Sequence, residues 1–237
     1  MSTNRQPSEI RAIEITQGFS KHAPAVLFRM GETIVHCTAF LEEGAPRFVP
    51  EGQGWVTAEY AMLPASGQER IRRSRNGRVD GRSQEIQRLI GRSFRGVMDL
   101  EALGPHTIYL DCDVLNADGG TRCASISGAY VALSMAIQQL KQKELIAKDA
   151  QVLREEVAAV SLGLVDQQLV LDLEYAQDVR AEVDLNLVMT GRGELIEIQG
   201  TGERSTFSVG QLQEMLTLGQ QGIEQILTHT RTFLQSL

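Results

Sequence analysis

The run LDCDVLNADGGTR at 110–122 carries the end of a strand, a turn and the start of a helix in direct succession. HTIYLDCDVL at 106–115 reads as the strand. Asn116-Ala117-Asp118-Gly119-Gly120 then turns the chain, and Thr121 is placed to cap a helix running to about Lys143. Small residues (Ala124, Ser125, Ser127, Gly128, Ala129) crowd the start of that helix and predict close packing on another backbone. The turn also has a chemical reading. Free N–H groups and the positive end of the helix dipole make an anion site, to which the Thr121 hydroxyl and Arg122 guanidinium add donors. A capped turn explains the same glycines, and the GKT or GKS of a nucleoside-triphosphate loop is missing. Arg122 favours the anion, since a cation in the first helical turn opposes the dipole unless negative charge lies nearby.

Upstream, 10–16, 25–30 and 33–41 read as strands, the last two joined by a Gly31-Glu32 hairpin turn. WVTAEYAML at 55–63 is a further strand closed by Pro64, and the glycine-containing, apolar-poor stretch 65–82 reads as a mobile loop. A helix follows from Ser83 as N-cap, with Ile86, Leu89, Ile90, Phe94 and Val97 on its apolar face and Arg88, Arg92 and Arg95 on the other. Downstream, strands are expected at 157–166, 169–175, 183–190 and 194–199, with turns at Gln167-Gln168 and Gly191-Arg192-Gly193. A final helix spans about Val209 to Leu234, its apolar face made by Leu212, Met215, Leu216, Ile223, Ile226 and Leu227. No strand–helix alternation repeats throughout, so the class is α+β, with mixed or antiparallel sheets packed with helices. One unit over 1–237 is expected, its halves 1–150 and 151–237 joined by the polar stretch at 141–151.

The 237 residues are 42% hydrophobic and 22% charged, an ordinary globular balance that excludes disorder as the dominant state. No apolar run is long enough to span a bilayer and the first residues lack a signal peptide's apolar core, so a cytoplasmic protein with no membrane association is expected. Cys37, Cys112 and Cys123 are unpaired by spacing and read as small buried hydrophobes. The net charge of −7 argues against general nucleic-acid coating. Its distribution is uneven: from Arg70 to Arg95 nine arginines face two acids, and the rest of the chain holds 14 bases against 28 acids. An all-arginine window suits a phosphate-bearing polyanion, because the planar fork pairs bidentately with phosphate; a solvated basic loop is the plain alternative.

Asp178 and Asp184 bracket a polar stretch between two strands. Fully extended, they would stand about 20 Å apart; a turn linking neighbouring strands brings both to one sheet end, where paired carboxylates suit Mg²⁺. An ordinary acidic turn is the plainer reading of these residues alone. Asp111, Asp113 and Asp172 either join such a site or face solvent. The four histidines are scattered, and no Ser/His/Asp arrangement is detectable.

Taken together, KHA at 21–23, GQGWVTAEYAMLP at 52–64, GRSQEIQRLIGRSFR at 81–95, LDCDVLNADGGTR at 110–122, DLEY with AEVDLNLVMT ending at 190, and QGTGE at 199–203 resemble the ribonuclease PH family of phosphorolytic 3′-to-5′ exoribonucleases. The resemblance runs nearly the full length in one order. It implies that Arg82, Gly120, Thr121 and Arg122 bind the attacking inorganic phosphate and that Asp178 and Asp184 are the catalytic and Mg²⁺ (or Mn²⁺) pair. It further implies that Arg70, Arg72 and Arg73 grip an RNA 3′ end, transfer-RNA precursors above all, and that six copies form a ring as a trimer of dimers. The reaction it implies is release of nucleoside diphosphates, reversible as nucleotide addition. A non-catalytic RNA-binding ring subunit of the same fold, and a hydrolytic metal nuclease, are the alternatives. Three departures stand out: the usual N-terminal Arg-x-Asp-Gly-Arg is reduced to Arg5, Ala65 replaces a common arginine, and Cys123 replaces a common threonine.

Overall fold

A computed structural model describes residues 5–73 and 79–237. Strands β1 (Ile13–Gln17), β2 (Ala25–Met30), β3 (Thr33–Glu43), β4 (Trp55–Met62) and β5 (His106–Asn116) form one sheet, in the order β1-β2-β3-β5-β4. All its pairs are antiparallel except β4 with β5. That parallel pair needs a crossover, and helices α1 (Gly81–Arg95) and α2 (Leu100–Leu103) lie in it. After α3 (Thr121–Gln142), strands β6 (Val157–Val165), β7 (Gln168–Leu171), β8 (Val183–Thr190) and β9 (Leu195–Gly202) form an antiparallel sheet in the order β7-β6-β8-β9. A one-turn helix, α4 (Tyr175–Asp178), interrupts the path from β7 to β8, and α5 (Val209–Gln235) ends the chain. Helices with one mixed and one antiparallel sheet make the α+β class expected.

The central helix explains the layering. α3 is buried on nearly every side, as a helix without a polar face must be. One side meets the first sheet, where the Ser125 carbonyl accepts from the thiols of Cys37 and Cys112. The other meets the second sheet, where the Ser127 hydroxyl accepts from the Ala159 N–H at 3.1 Å. α5 covers the opposite face of that second sheet, with Gly219 against Leu187 and Leu162, so every residue of β6 is buried. The small residues of α3 do mark close packing, on the β6 backbone at Ser127 and on side chains at Gly128, where a Cβ would lie 2.6 Å from Cys37 Sγ and 2.9 Å from Phe28 Cβ. All three cysteines are buried and free.

Several boundaries differ from expectation, each for a local reason. Asp80, not Ser83, caps α1, its carboxylate accepting from the Ser83 N–H at 2.9 Å and hydroxyl at 2.7 Å. Gly120, not Thr121, caps α3, because its left-handed φ of +63° completes the turn and leaves Thr121 as the first helical residue. The β6–β7 turn is Asp166-Gln167, both at positive φ. β7 stops at Leu171 because Asp172 takes φ +55°. Part of the loop expected at 65–82, with Arg75 and Arg78 of the arginine window, lies outside the described residues.

Candidate active site between the two sheets

A cleft of about 830 Å³ opens where the α1 and α3 N-termini face the α4–β8 end of the second sheet. Of the residues singled out from sequence, Arg72, Arg73, Arg82, Gly120, Thr121, Arg122, Asp178 and Asp184 all line it. Arg70 is exposed and outside the lining among the described residues.

The cationic side comes from the first half of the chain. Arg82 stands in the first turn of α1. Its guanidinium donates to the Tyr60 hydroxyl at 3.3 Å and to Thr121 Oγ1 at 3.4 Å, and those two oxygens are 2.9 Å apart. Tyr60 is buried at the end of the alternation Val56, Ala58, Tyr60. That alternation was the available signal for it, since a buried tyrosine needs a partner for its hydroxyl. Gly119 and Gly120 have φ of +80° and +63°, and a Cβ on Gly119 would lie 2.4 Å from the Leu173 carbonyl. Only glycine fits there. The charge conflict at Arg122 is met from within the protein: its guanidinium donates to Gln199 Oε1 and lies 3.4 Å from the Glu85 carboxylate.

The carboxylate side comes from the second half. Asp178 is the last residue of α4 and Asp184 the second of β8. The segment between them bends through a helical turn, with the Ala181 N–H donating to the Asp178 carbonyl at 3.1 Å. Burial pushes the Asp178 carboxyl above its ordinary value against the pull of Arg82 and Arg122. Burial, then the charge of Asp178, pushes Asp184 up to about 6. Two desolvated carboxylates on one wall are short of positive charge. They fit a hard divalent cation that keeps most of its waters. Among the described residues no cluster of three or more His, Cys, Asp or Glu side chains could replace that pair as a metal site.

The remaining candidates lie elsewhere. Asp111 pairs with Thr38 on the sheet face away from α3. Asp172 is fully buried against Arg11, neither in solvent nor on the cleft wall. Arg92 and Arg95 do not form a free basic face: Arg92 pairs with Glu197 at 2.7 Å, and Arg95 stacks 4.8 Å over Trp55 while donating to the Val56 carbonyl. Arg5 straps the N-terminal segment to the second sheet through the Leu171 and Asp172 carbonyls.

Such a cleft, cationic on one wall and acidic on the other, is what phosphoryl transfer between two polyanions requires. Family comparison agrees. Residues 9–137 match the model for the 3′ exoribonuclease family, domain 1, and residues 155–222 match domain 2. Ribonuclease PH of Bacillus cereus (strain AH187) is 51% identical over 227 residues, 94% of this chain and 92% of that one. Ribonuclease PH of Bacillus anthracis (strain A0248) matches equally. The chain belongs to the ribonuclease PH family of 3′ exoribonucleases. In fold it is similar to rice (Oryza sativa) Rrp46, with a TM-score of 0.79 at 16% identity over 99% of this chain and 100% of that one. It is likewise similar to a chain of the Archaeoglobus fulgidus exosome with RNA bound to the active site, at 0.79 and 18% over 96% and 91%.

Proposed function

We propose that the chain is a phosphate-dependent 3′-to-5′ exoribonuclease that trims RNA 3′ ends, transfer-RNA precursors among them. The observation that carries this reading is the joint presence of Arg82, Thr121 and Arg122 with Asp178 and Asp184 on one cleft. Inorganic phosphate is held by the two guanidiniums, the Thr121 hydroxyl and the N–H groups at the α3 N-terminus. One of its oxygens attacks the last phosphodiester phosphorus. A P–O–P bond forms, the P–O3′ bond breaks, and the terminal nucleotide leaves as a nucleoside diphosphate while the shortened RNA recovers its 3′ hydroxyl with a proton. Phosphate is already an anionic nucleophile, so no dedicated base is needed. Asp184 is the candidate acid toward the leaving 3′ oxygen. Asp178 and Asp184 would hold Mg²⁺ or Mn²⁺, which when bound supplies positive charge to the transferring group. Arg72 and Arg73, exposed on the cleft wall, and Arg70 beside them supply the RNA grip.

A ring of six copies, as a trimer of dimers, belongs to the same proposal, as does a cytoplasmic location; no helix among the described residues is long and apolar enough to cross a membrane. A non-catalytic ring subunit would not need five phosphoryl-transfer groups on one cleft. The test is degradation of an RNA with a free 3′ hydroxyl at a series of phosphate concentrations. The rate should be negligible without phosphate and saturable with it, and excess nucleoside diphosphate should lengthen the RNA. Equal rates without phosphate would make water the nucleophile and this reading wrong.

A further inference from the structure

Arg11 and Asp172 form an ion pair closed off from solvent, with side chains 4% and 1% exposed, that no step of the reaction uses. Asp172 Oδ2 accepts from the Arg11 backbone N–H at 2.7 Å and from Nε at 2.9 Å, and Oδ1 accepts from Nη2 at 2.7 Å. Arg11 spends its remaining donors on the turn that opens α3: Nη1 donates to the Asp118 carbonyl and Nη2 to the Gly119 carbonyl at 3.4 Å. Thr33 grips the same turn. Its hydroxyl donates to the Gly119 carbonyl at 2.6 Å and accepts from the Asp118 N–H at 2.9 Å.

Two consequences follow. In a trans peptide the C=O and the next N–H point opposite ways, so fixing the Asp118 and Gly119 carbonyls also fixes the N–H groups of Gly119 and Gly120, both residues of the cleft wall. The Asp118 carbonyl also accepts from the Tyr175 N–H at 3.2 Å, and Tyr175 opens the short helix that ends in Asp178. One carbonyl therefore ties the phosphate turn to a catalytic carboxylate. Replacing a buried ion pair by apolar residues often leaves stability unchanged or improved, so stability alone is a weak reason for this one.

We propose that Arg11, Asp172 and Thr33 are positioning residues that lock the phosphate-binding turn and set its distance from Asp178. The proposal rests on the phosphorolytic reading above. It is tested on the full chain by phosphate saturation kinetics of wild type, Thr33→Val, Thr33→Ser and Arg11→Lys, alongside RNA binding and thermal melting. Thr33→Val removes the hydroxyl at nearly constant volume, and Arg11→Lys keeps the charge but loses the fork. The phosphate KM should rise about five- to tenfold in both, with a smaller fall in kcat and an unchanged RNA Kd, since small misplacements at a reacting centre are costly. Thr33→Ser, which keeps the hydroxyl, should restore the wild-type KM. Should Arg11→Lys not fold, the two Thr33 variants decide the matter. A phosphate KM within twofold of wild type in Thr33→Val, or an equal rise in Thr33→Ser, would overturn the clamp even if both variants melt earlier. A wild-type rate indifferent to phosphate would be a separate result, overturning the phosphorolytic reading and the clamp with it.

Discussion

The two walls of the cleft are built on opposite terms. On the wall from the first half, charges and hydroxyls are satisfied: Arg82, Tyr60 and Thr121 bond one another, and Arg122 has Glu85 and Gln199. On the wall from the second half, Asp178 and Asp184 are desolvated and Asp184 is further raised by its neighbour's charge. The cationic wall is therefore already organised to receive an anion, while the acidic wall carries a strain that binding relieves.

The comparison breaks first at Asp184. Asp184→Asn should lower turnover by about a thousandfold or more, a loss of the size expected when transition-state charge stabilisation goes, while RNA binding stays intact. Chelator should do the same to the wild type, and single-turnover decay checks both. Second, Arg122→Ala should raise the phosphate concentration for half-maximal rate by about ten- to a hundredfold and change RNA affinity little. Saturation curves read that split directly. Third, Arg72→Ala with Arg73→Ala should reduce the slope of log affinity against log salt by about 1.4, at about 0.7 per phosphate neutralised on a single strand. A smaller change from Arg70→Ala would sharpen the placement of the grip on the cleft wall.

The smallest effect concerns stability. Asp184 moves from the usual 3.8 to about 6 in the folded chain, so its ionisation opposes folding. The penalty is absent below the unfolded value, near pH 4, and complete above about pH 6. Two units correspond to about 2–3 kcal/mol, or roughly 5 °C in a chain of this size. Asp184→Asn should therefore melt higher than wild type by that amount at pH 8 in metal-free buffer, and the gain should vanish near pH 4. Melting curves with and without Mg²⁺ check the sign: Mg²⁺ should raise the wild type and leave the variant unmoved.

What the sequence made legible follows from how far apart the partners lie. The glycine turn, Thr121 and Arg122 are contiguous, and Asp178 and Asp184 are six residues apart, so local pattern brought them forward as candidates, while an ordinary capped turn and an ordinary acidic turn stayed open until the family resemblance gave them roles. Gly31 and Gly191 to Gly193 announced their turns for the same reason. Arg11 and Asp172 are separated by 161 positions and look in sequence like an ordinary strand-edge arginine and a strand aspartate. Only the fold shows them meeting. Asp172 also defeated the strand expected over 169–175, because its left-handed φ is held by a tertiary partner that no local pattern records. Arg92 and Arg95 show the converse: their helical spacing was read correctly, but an apparent basic face dissolved once Glu197 and Trp55 were brought alongside.

The central claim is that free phosphate, held on the satisfied wall, attacks RNA positioned against the strained one. Isotopically labelled inorganic phosphate tests it most directly. The label should appear in the terminal phosphate of every released nucleoside diphosphate and nowhere in the shortened RNA. Unlabelled nucleoside monophosphates as the product would contradict the account.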